Sequence, residues 1–128
     1  RLGAKKIDNL LPKIISKIEH YGHKVVWFCD PMHGNTISAK NGYKTRNFET
    51  IINELKSFFN IHFSTGTVPG GVHLELTGDN VTECLGGIKN IQDNELDRKY
   101  ETTCDPRLNN DQSLEIAFLI AELLTEGE

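Results

Sequence analysis

Val25-Val26-Trp27-Phe28-Cys29, followed at once by Asp30-Pro31-Met32-His33-Gly34-Asn35, is the stretch on which the fold reading turns. An unbroken apolar run of this length has the look of a parallel strand buried on both faces. The polar segment behind it delivers Asp30 and His33 to the strand's carboxyl end. The same order recurs twice downstream. Val72 to Leu76 is predicted as a second strand, carrying Glu75 near its end. Glu101 to Cys104 is predicted as a third, short and polar, with Asp105-Pro106-Arg107 behind it. Hydrogen-bonding and metal-ligating side chains at the ends of successive strands are the pattern of the catalytic face of a (β/α)8 barrel.

Between these strands the periodicity is helical. Leu11, Ile14, Ile15 and Ile18 recur at helical spacing after Pro12, which predicts a helix over 12–21 closed by Gly22. Phe48, Ile51, Ile52, Leu55, Phe58 and Phe59 form the apolar stripe of a second helix that ends before Gly66, with Glu49, Asn53, Glu54 and Lys56 off the stripe. The segment Pro31 to Tyr43, rich in Gly, Asn, Ser and Thr, reads as a loop. Residues 77–100 read as a long loop with one or two short helical turns. A closing helix is predicted over 111–124, opened by a capping box between Asn109 and Gln112, with Leu114, Phe118, Ala121 and Leu124 as its buried stripe. Helices between strands imply crossover connections and parallel strands.

At 128 residues the chain is too short for a complete barrel, which takes ~250 residues. The expectation is an α/β fold made of about the last three βα units of a barrel, with residues 1–128 as the carboxyl-terminal segment of a TIM-barrel catalytic domain. The start at Arg1-Leu2-Gly3, without Met, reads as internal. Lys and Arg number 14 against 18 Asp and Glu, a net charge of −4 with no basic block, so neither nucleic acid nor membrane is expected as a partner. Cys29, Cys84 and Cys104 are odd in number and lack CxxC spacing, which supports neither a disulfide framework nor a zinc finger. No run approaches a membrane span of ~20 apolar residues.

His33, Glu75 and Asp105 follow three successive strands, and an imidazole with two carboxylates suits a divalent first-row ion. On residue type alone the alternatives stay open. A His in a Gly/Asn loop serves a turn, and a carboxylate after a strand caps the next helix. Lys44 and Arg46 are candidates to face anionic groups, or else solvated helix-entry charges. Asp30 either orients the His33 loop or stabilises the turn before Pro31.

The segments WFCDPMHGNT, NGYKTRNF, PGGVHLELTGDNVTECLGG and KYETTCDPRLN, the last with Lys99 in place of an Arg, run in order over nearly the whole chain. Together they resemble the carboxyl-terminal part of the class II, or plant-type, 3-deoxy-D-arabino-heptulosonate 7-phosphate (DAHP) synthases. The resemblance implies a metal-dependent barrel that condenses phosphoenolpyruvate with erythrose 4-phosphate, the entry step of the shikimate pathway. It implies metal ligation by His33, Glu75 and Asp105, with Mn²⁺ as the first choice and Co²⁺, Zn²⁺ or Fe²⁺ as alternatives. The family's fourth ligand, a Cys on an early strand, matches none of Cys29, Cys84 and Cys104, which are read as packing or rim residues.

Arg1 falls where the family has an Arg that grips phosphoenolpyruvate. Lys44 is the preferred contact to the aldose phosphate and, with His33, a candidate catalytic group. Arg46 and Asp30 complete the substrate-binding set. A cytoplasmic location, plastidic if the parent is a plant protein, and homo-oligomerisation of the full-length parent are further expectations. The isolated chain is expected to lack turnover. A non-catalytic fragment of the enzyme and a small metal-binding α/β module are the competing readings.

Overall fold

A computed structural model describes residues 1–127. Chain order is α1 (Ile7–His20), β1 (Trp27–Cys29), β2 (Thr36–Ser38), β3 (Lys44–Arg46), α2 (Phe48–Thr65), β4 (Pro69–Val72) and α3 (Asn110–Glu126). Single stretches of 3-10 helix lie at His33–Asn35 and Asp93–Arg98, the latter inside the long predicted loop.

The architecture is mixed α/β with one parallel pair, and β1 is not buried on both faces as expected: Cys29 faces the core while Phe28 is 62% exposed. β1 runs parallel to β4, with Cys29 opposite Val72, and the His73 N–H donates to Cys29 O at 2.8 Å just beyond the pair. The second strand therefore lies earlier than the predicted Val72 to Leu76. Past Leu74 the chain turns to a new neighbour. Leu108 N donates to Glu75 O at 3.0 Å and Thr77 N to Leu108 O at 2.9 Å, a parallel bridge between Leu76 and Leu108. The third parallel position is thus Leu108, and the predicted strand Glu101 to Cys104 does not form.

That difference has a local cause. The carboxylate of Glu83, fully buried, accepts from the backbone N–H groups of Glu101 at 3.2 Å, Thr102 at 2.9 Å and Arg107 at 2.8 Å. Donors that a strand would present to a ladder are instead gathered around one side chain. Thr102 Oγ1 closes the turn by donating to Asp105 O at 2.8 Å.

Helix α2 has the predicted stripe. Phe48, Ile51, Leu55, Phe58 and Phe59 are all buried, Asn47 caps the amino end by accepting from Glu49 N and Thr50 N, and Gly66 ends the helix at φ 70°, a conformation that disfavours side chains. Glu54, placed off the stripe by its charge, is buried at 1% exposure.

Helix α1 begins at Ile7, five residues ahead of the prediction, and holds Pro12 inside it. Ile7, Leu11 and Ile15 form its buried line, while Ile14 is 40% exposed. Against these two helices pack Cys29, Met32, Cys84, Leu108, Ile116 and Leu123.

The capping box of α3 is present, with Gln112 N donating to Asn109 Oδ1 at 2.9 Å and Asn109 N to Gln112 Oε1 at 3.1 Å. Gln112 also donates to Cys84 O and Gly86 O. Those bonds turn Gln112 inward and set the rotation of the helix. Gln112, Ile116 and Leu123 are buried as a result, whereas the predicted stripe of Leu114, Phe118, Ala121 and Leu124 is exposed.

The loop expected over residues 31–43 contains instead one arm of a hairpin. β2 pairs antiparallel with β3, Ile37 opposite Thr45, around a turn in which Gly42 N donates to Ala39 O at 2.9 Å. This hairpin carries Lys44 and Arg46 back over the carboxyl end of β1. No helix among the described residues is long and apolar enough to cross a membrane.

Candidate metal centre

Three segments converge beyond the carboxyl end of the parallel pair: the turn after β1, the stretch after β4, and the turn organised by Glu83. They bring His33, Glu75 and Asp105 together. One ligating atom from each lies within 4.8 Å of the other two. His33 Nε2 is 3.5 Å from Glu75 Oε1 and 3.7 Å from Asp105 Oδ2, and all three residues are partly buried. A single ion with bonds of ~2.0–2.2 Å fits between atoms at these separations.

Each of the three is held by its other polar atom. His33 Nδ1 lies 2.7 Å from Asp30 Oδ2, the arrangement that fixes ring orientation in histidine ligands. Glu75 Oε2 accepts from Arg46 Nη1. Asp105 Oδ1 accepts from Lys44 Nζ at 2.8 Å. The free atoms therefore face one another while their partners are tied outward.

Asp30 is itself built in by its turn. Its Oδ1 accepts from Met32 N at 3.0 Å and His33 N at 3.2 Å, and Arg1 Nε donates to Oδ2 at 2.9 Å. Burial opposes ionisation of Asp30, but these backbone bonds and the His33 ring outweigh it and hold the carboxyl below its ordinary range. The hydrogen bond from Lys44 likewise lowers Asp105, and Asp105 raises Lys44.

The Arg46 side chain is fully buried, with Nε donating to Thr36 Oγ1 at 3.0 Å and Nη1 to Glu75 Oε2 and, at 2.6 Å, to Pro106 O, while Nη2 has no partner among the described residues. Lys44 is half exposed at 52% and Arg1 at 65%. Tyr100, not singled out from sequence, donates its hydroxyl to Lys44 O at 2.6 Å and packs on Tyr43 with ring centroids 4.7 Å apart.

All three cysteines are free, Cys29 and Cys84 buried and Cys104 exposed. Burial pushes the Cys29 and Cys84 thiols up to about 12, which suits packing and not ligation.

The model of the class-II DAHP synthetase family matches residues 1–121. The chain belongs to that family. It is 56% identical over 126 residues to the phospho-2-dehydro-3-deoxyheptonate aldolase AroG of Mycolicibacterium smegmatis, covering 98% of this chain and 27% of that protein. Its identity to the phospho-2-dehydro-3-deoxyheptonate aldolase of Streptomyces coelicolor is 54% over 123 residues, 96% of this chain and 27% of that one. A Streptomyces lividans protein of the same name is 51% identical over 123 residues, 96% of this chain and 84% of its own length. The chain thus spans about a quarter of the first two relatives.

Proposed function

We propose that this chain carries the metal-binding part of the active site of a 3-deoxy-7-phosphoheptulonate synthase, condensing phosphoenolpyruvate with erythrose 4-phosphate to DAHP and phosphate. The observation that carries the reading is the convergence of His33 Nε2, Glu75 Oε1 and Asp105 Oδ2 on one point, each held by a second bond, in a chain of this family. On this reading the parallel segments belong to the last units of a (β/α)8 barrel.

His33, Glu75 and Asp105 would hold a divalent ion, Mn²⁺ first. When bound, such an ion supplies Lewis acidity that polarises a carbonyl oxygen. Asp30 keeps the His33 ring turned so that Nε2 faces the site. Arg46 and Lys44 fix which carboxylate oxygen of Glu75 and Asp105 turns inward.

Charge balance supports anionic substrates. Asp30, Glu75 and Asp105 are each paired with one cation, Arg1, Arg46 and Lys44, so the six side chains sum to zero. A divalent ion leaves the site doubly positive, a field that draws phosphorylated, carboxylated substrates. Arg1 and Lys44, the exposed cations, are the groups placed to meet them.

A chimera tests the reading. Residues 1–128 replace the matching region of the Mycolicibacterium smegmatis relative, and phosphate release is assayed with both substrates and Mn²⁺. Turnover that requires both substrates and disappears in His33→Ala and Glu75→Ala is expected, with none from the 128-residue chain alone. A folded chimera without turnover, or one indifferent to both substitutions, overturns it.

A further inference from the structure

Glu54 is an anomaly within α2. It is buried beside Ile51 and Leu55 and has no Lys or Arg partner among the described residues. A carboxylate in such a place costs stability unless hydrogen bonds compensate it. Both its oxygens are used. Oε1 accepts from Gly3 N at 3.0 Å and Oε2 from Asn35 Nδ2 at 2.6 Å.

Those two donors belong to segments that cross at close quarters. A Cβ on Gly34 would lie 2.6 Å from Gly3 N, and one on Gly3 would lie 2.7 Å from Gly34 O. Asn35 continues the knot, with its Oδ1 accepting from Ala4 N at 3.0 Å and its Nδ2 donating to Pro31 O at 2.7 Å. The segment through Gly3 carries Arg1, two residues away. The segment through Asn35 carries His33, also two residues away. Beyond the crossing the same two strands of chain meet again where Arg1 donates to Asp30 and Asp30 holds the His33 ring.

We infer that Glu54, with Asn35, is a positioning residue. It clamps the Arg1 segment to the His33 turn, so that the anion-binding guanidinium and the imidazole ligand keep a fixed relation through Asp30. Glu54 touches neither substrate nor ion and acts through the backbone of these two segments. The inference rests on the metal-site reading above for its functional meaning, but the clamp has a readout of its own.

The experiment uses the 128-residue chain. Glu54→Gln keeps the size of the side chain but sets an amide donor against either Gly3 N–H or the Asn35 amide, and Gly34→Ala pries the crossing apart without removing a polar group. Ile15→Val, a core change remote from the site, serves as the comparison for general destabilisation. Mn²⁺ binding is measured by calorimetry. The metal-free His33 ring is followed by its ¹⁵N signals, assigned with His33→Gln.

Expected are Mn²⁺ affinities lowered about tenfold or more in both site variants, shifted His33 ring signals, and neither change in Ile15→Val at comparable loss of melting temperature. Unaltered affinity and ring signals in Glu54→Gln overturn the inference, as does an equal change in Ile15→Val. If the unsubstituted chain takes up no Mn²⁺, the metal reading fails at this level and the ring signals decide alone. Movement in Glu54→Gln then supports the clamp, and constancy refutes it.

Discussion

Two glutamates with almost no exposed surface are shifted in opposite directions in this molecule. Glu83 and Glu54 are 0% and 1% exposed. Burial pushes both carboxyls up. At Glu83 the Arg107 guanidinium, at 2.7 and 3.1 Å, and the surrounding backbone N–H groups reverse that push and hold it below its ordinary value. At Glu54 the Gly3 N–H and the Asn35 amide pull the same way but lose to burial, and the carboxyl is raised. The number and strength of the hydrogen bonds that meet each carboxylate, set against its burial, decide the direction of the shift. The two also flank the candidate site: Glu83 shapes the turn that carries Asp105, and Glu54 the turn that carries His33.

The comparison breaks first at Glu83→Ala. Removing the carboxylate orphans three backbone donors and unpairs the partly exposed Arg107 guanidinium, and buried donors left without acceptors cost about 3 kcal/mol here. Chemical denaturation is expected to show that loss, with the Asp105 turn losing amide-exchange protection. Glu54→Gln, by contrast, sets a single amide donor against one buried N–H and is expected to cost only about 1 kcal/mol. Equal losses at the two positions would erase the distinction.

Acid titration of stability sharpens it further. The folded-state value of Glu83 lies below the ordinary 4.5, so its contribution is complete above that pH and fades as pH falls beneath it. Glu54 lies above 4.5 when folded, so its contribution is complete below that pH and is lost as pH rises past it. Relative to the parent chain, Glu83→Gln is therefore expected to flatten the acid loss, and Glu54→Gln to remove a gain on acidification from neutrality.

The smallest effect belongs to a third buried group. His62 is fully buried, its Nδ1 lies 2.7 Å from Thr67 Oγ1, it packs on Phe58 and Trp27, and burial lowers it below 6.5. Stability tied to its neutral form is complete above 6.5 and declines as pH falls through the window beneath. His62→Phe is expected to flatten the stability profile there while leaving the glutamate window below 4.5 unchanged. A profile without any change near pH 6 would show that the ring does not resist protonation.

Much of this was legible along the chain. The stripe from Phe48 to Phe59, the Gly66 that ends it and the Asn109–Gln112 box are local signals, carried by residues within one or two turns of each other. The meeting of His33 and Glu75 was legible for a different reason: both follow strands of a parallel pair joined by the crossover helix α2. Asp105 was expected behind a third strand that does not form, and the turn gathered around Glu83 brings it to the same place.

What the chain by itself determined was therefore its α/β class, the parallel relation of the first two strands, and which three ligand-type side chains would meet. Tertiary structure alone decided the rest. It drew Glu101 and Thr102 out of a strand toward Glu83, rotated α3 about Gln112 so that Phe118 faces outward, folded an expected loop into the β2–β3 hairpin, and buried Arg46 against Glu75 and Glu54 against Gly3. Apart from the hairpin, whose paired residues lie 6 to 10 apart, each of these depends on a partner 18 to 60 residues away. A polar side chain's burial is settled by whether distant donors and acceptors arrive to meet it, and that is information no local periodicity contains.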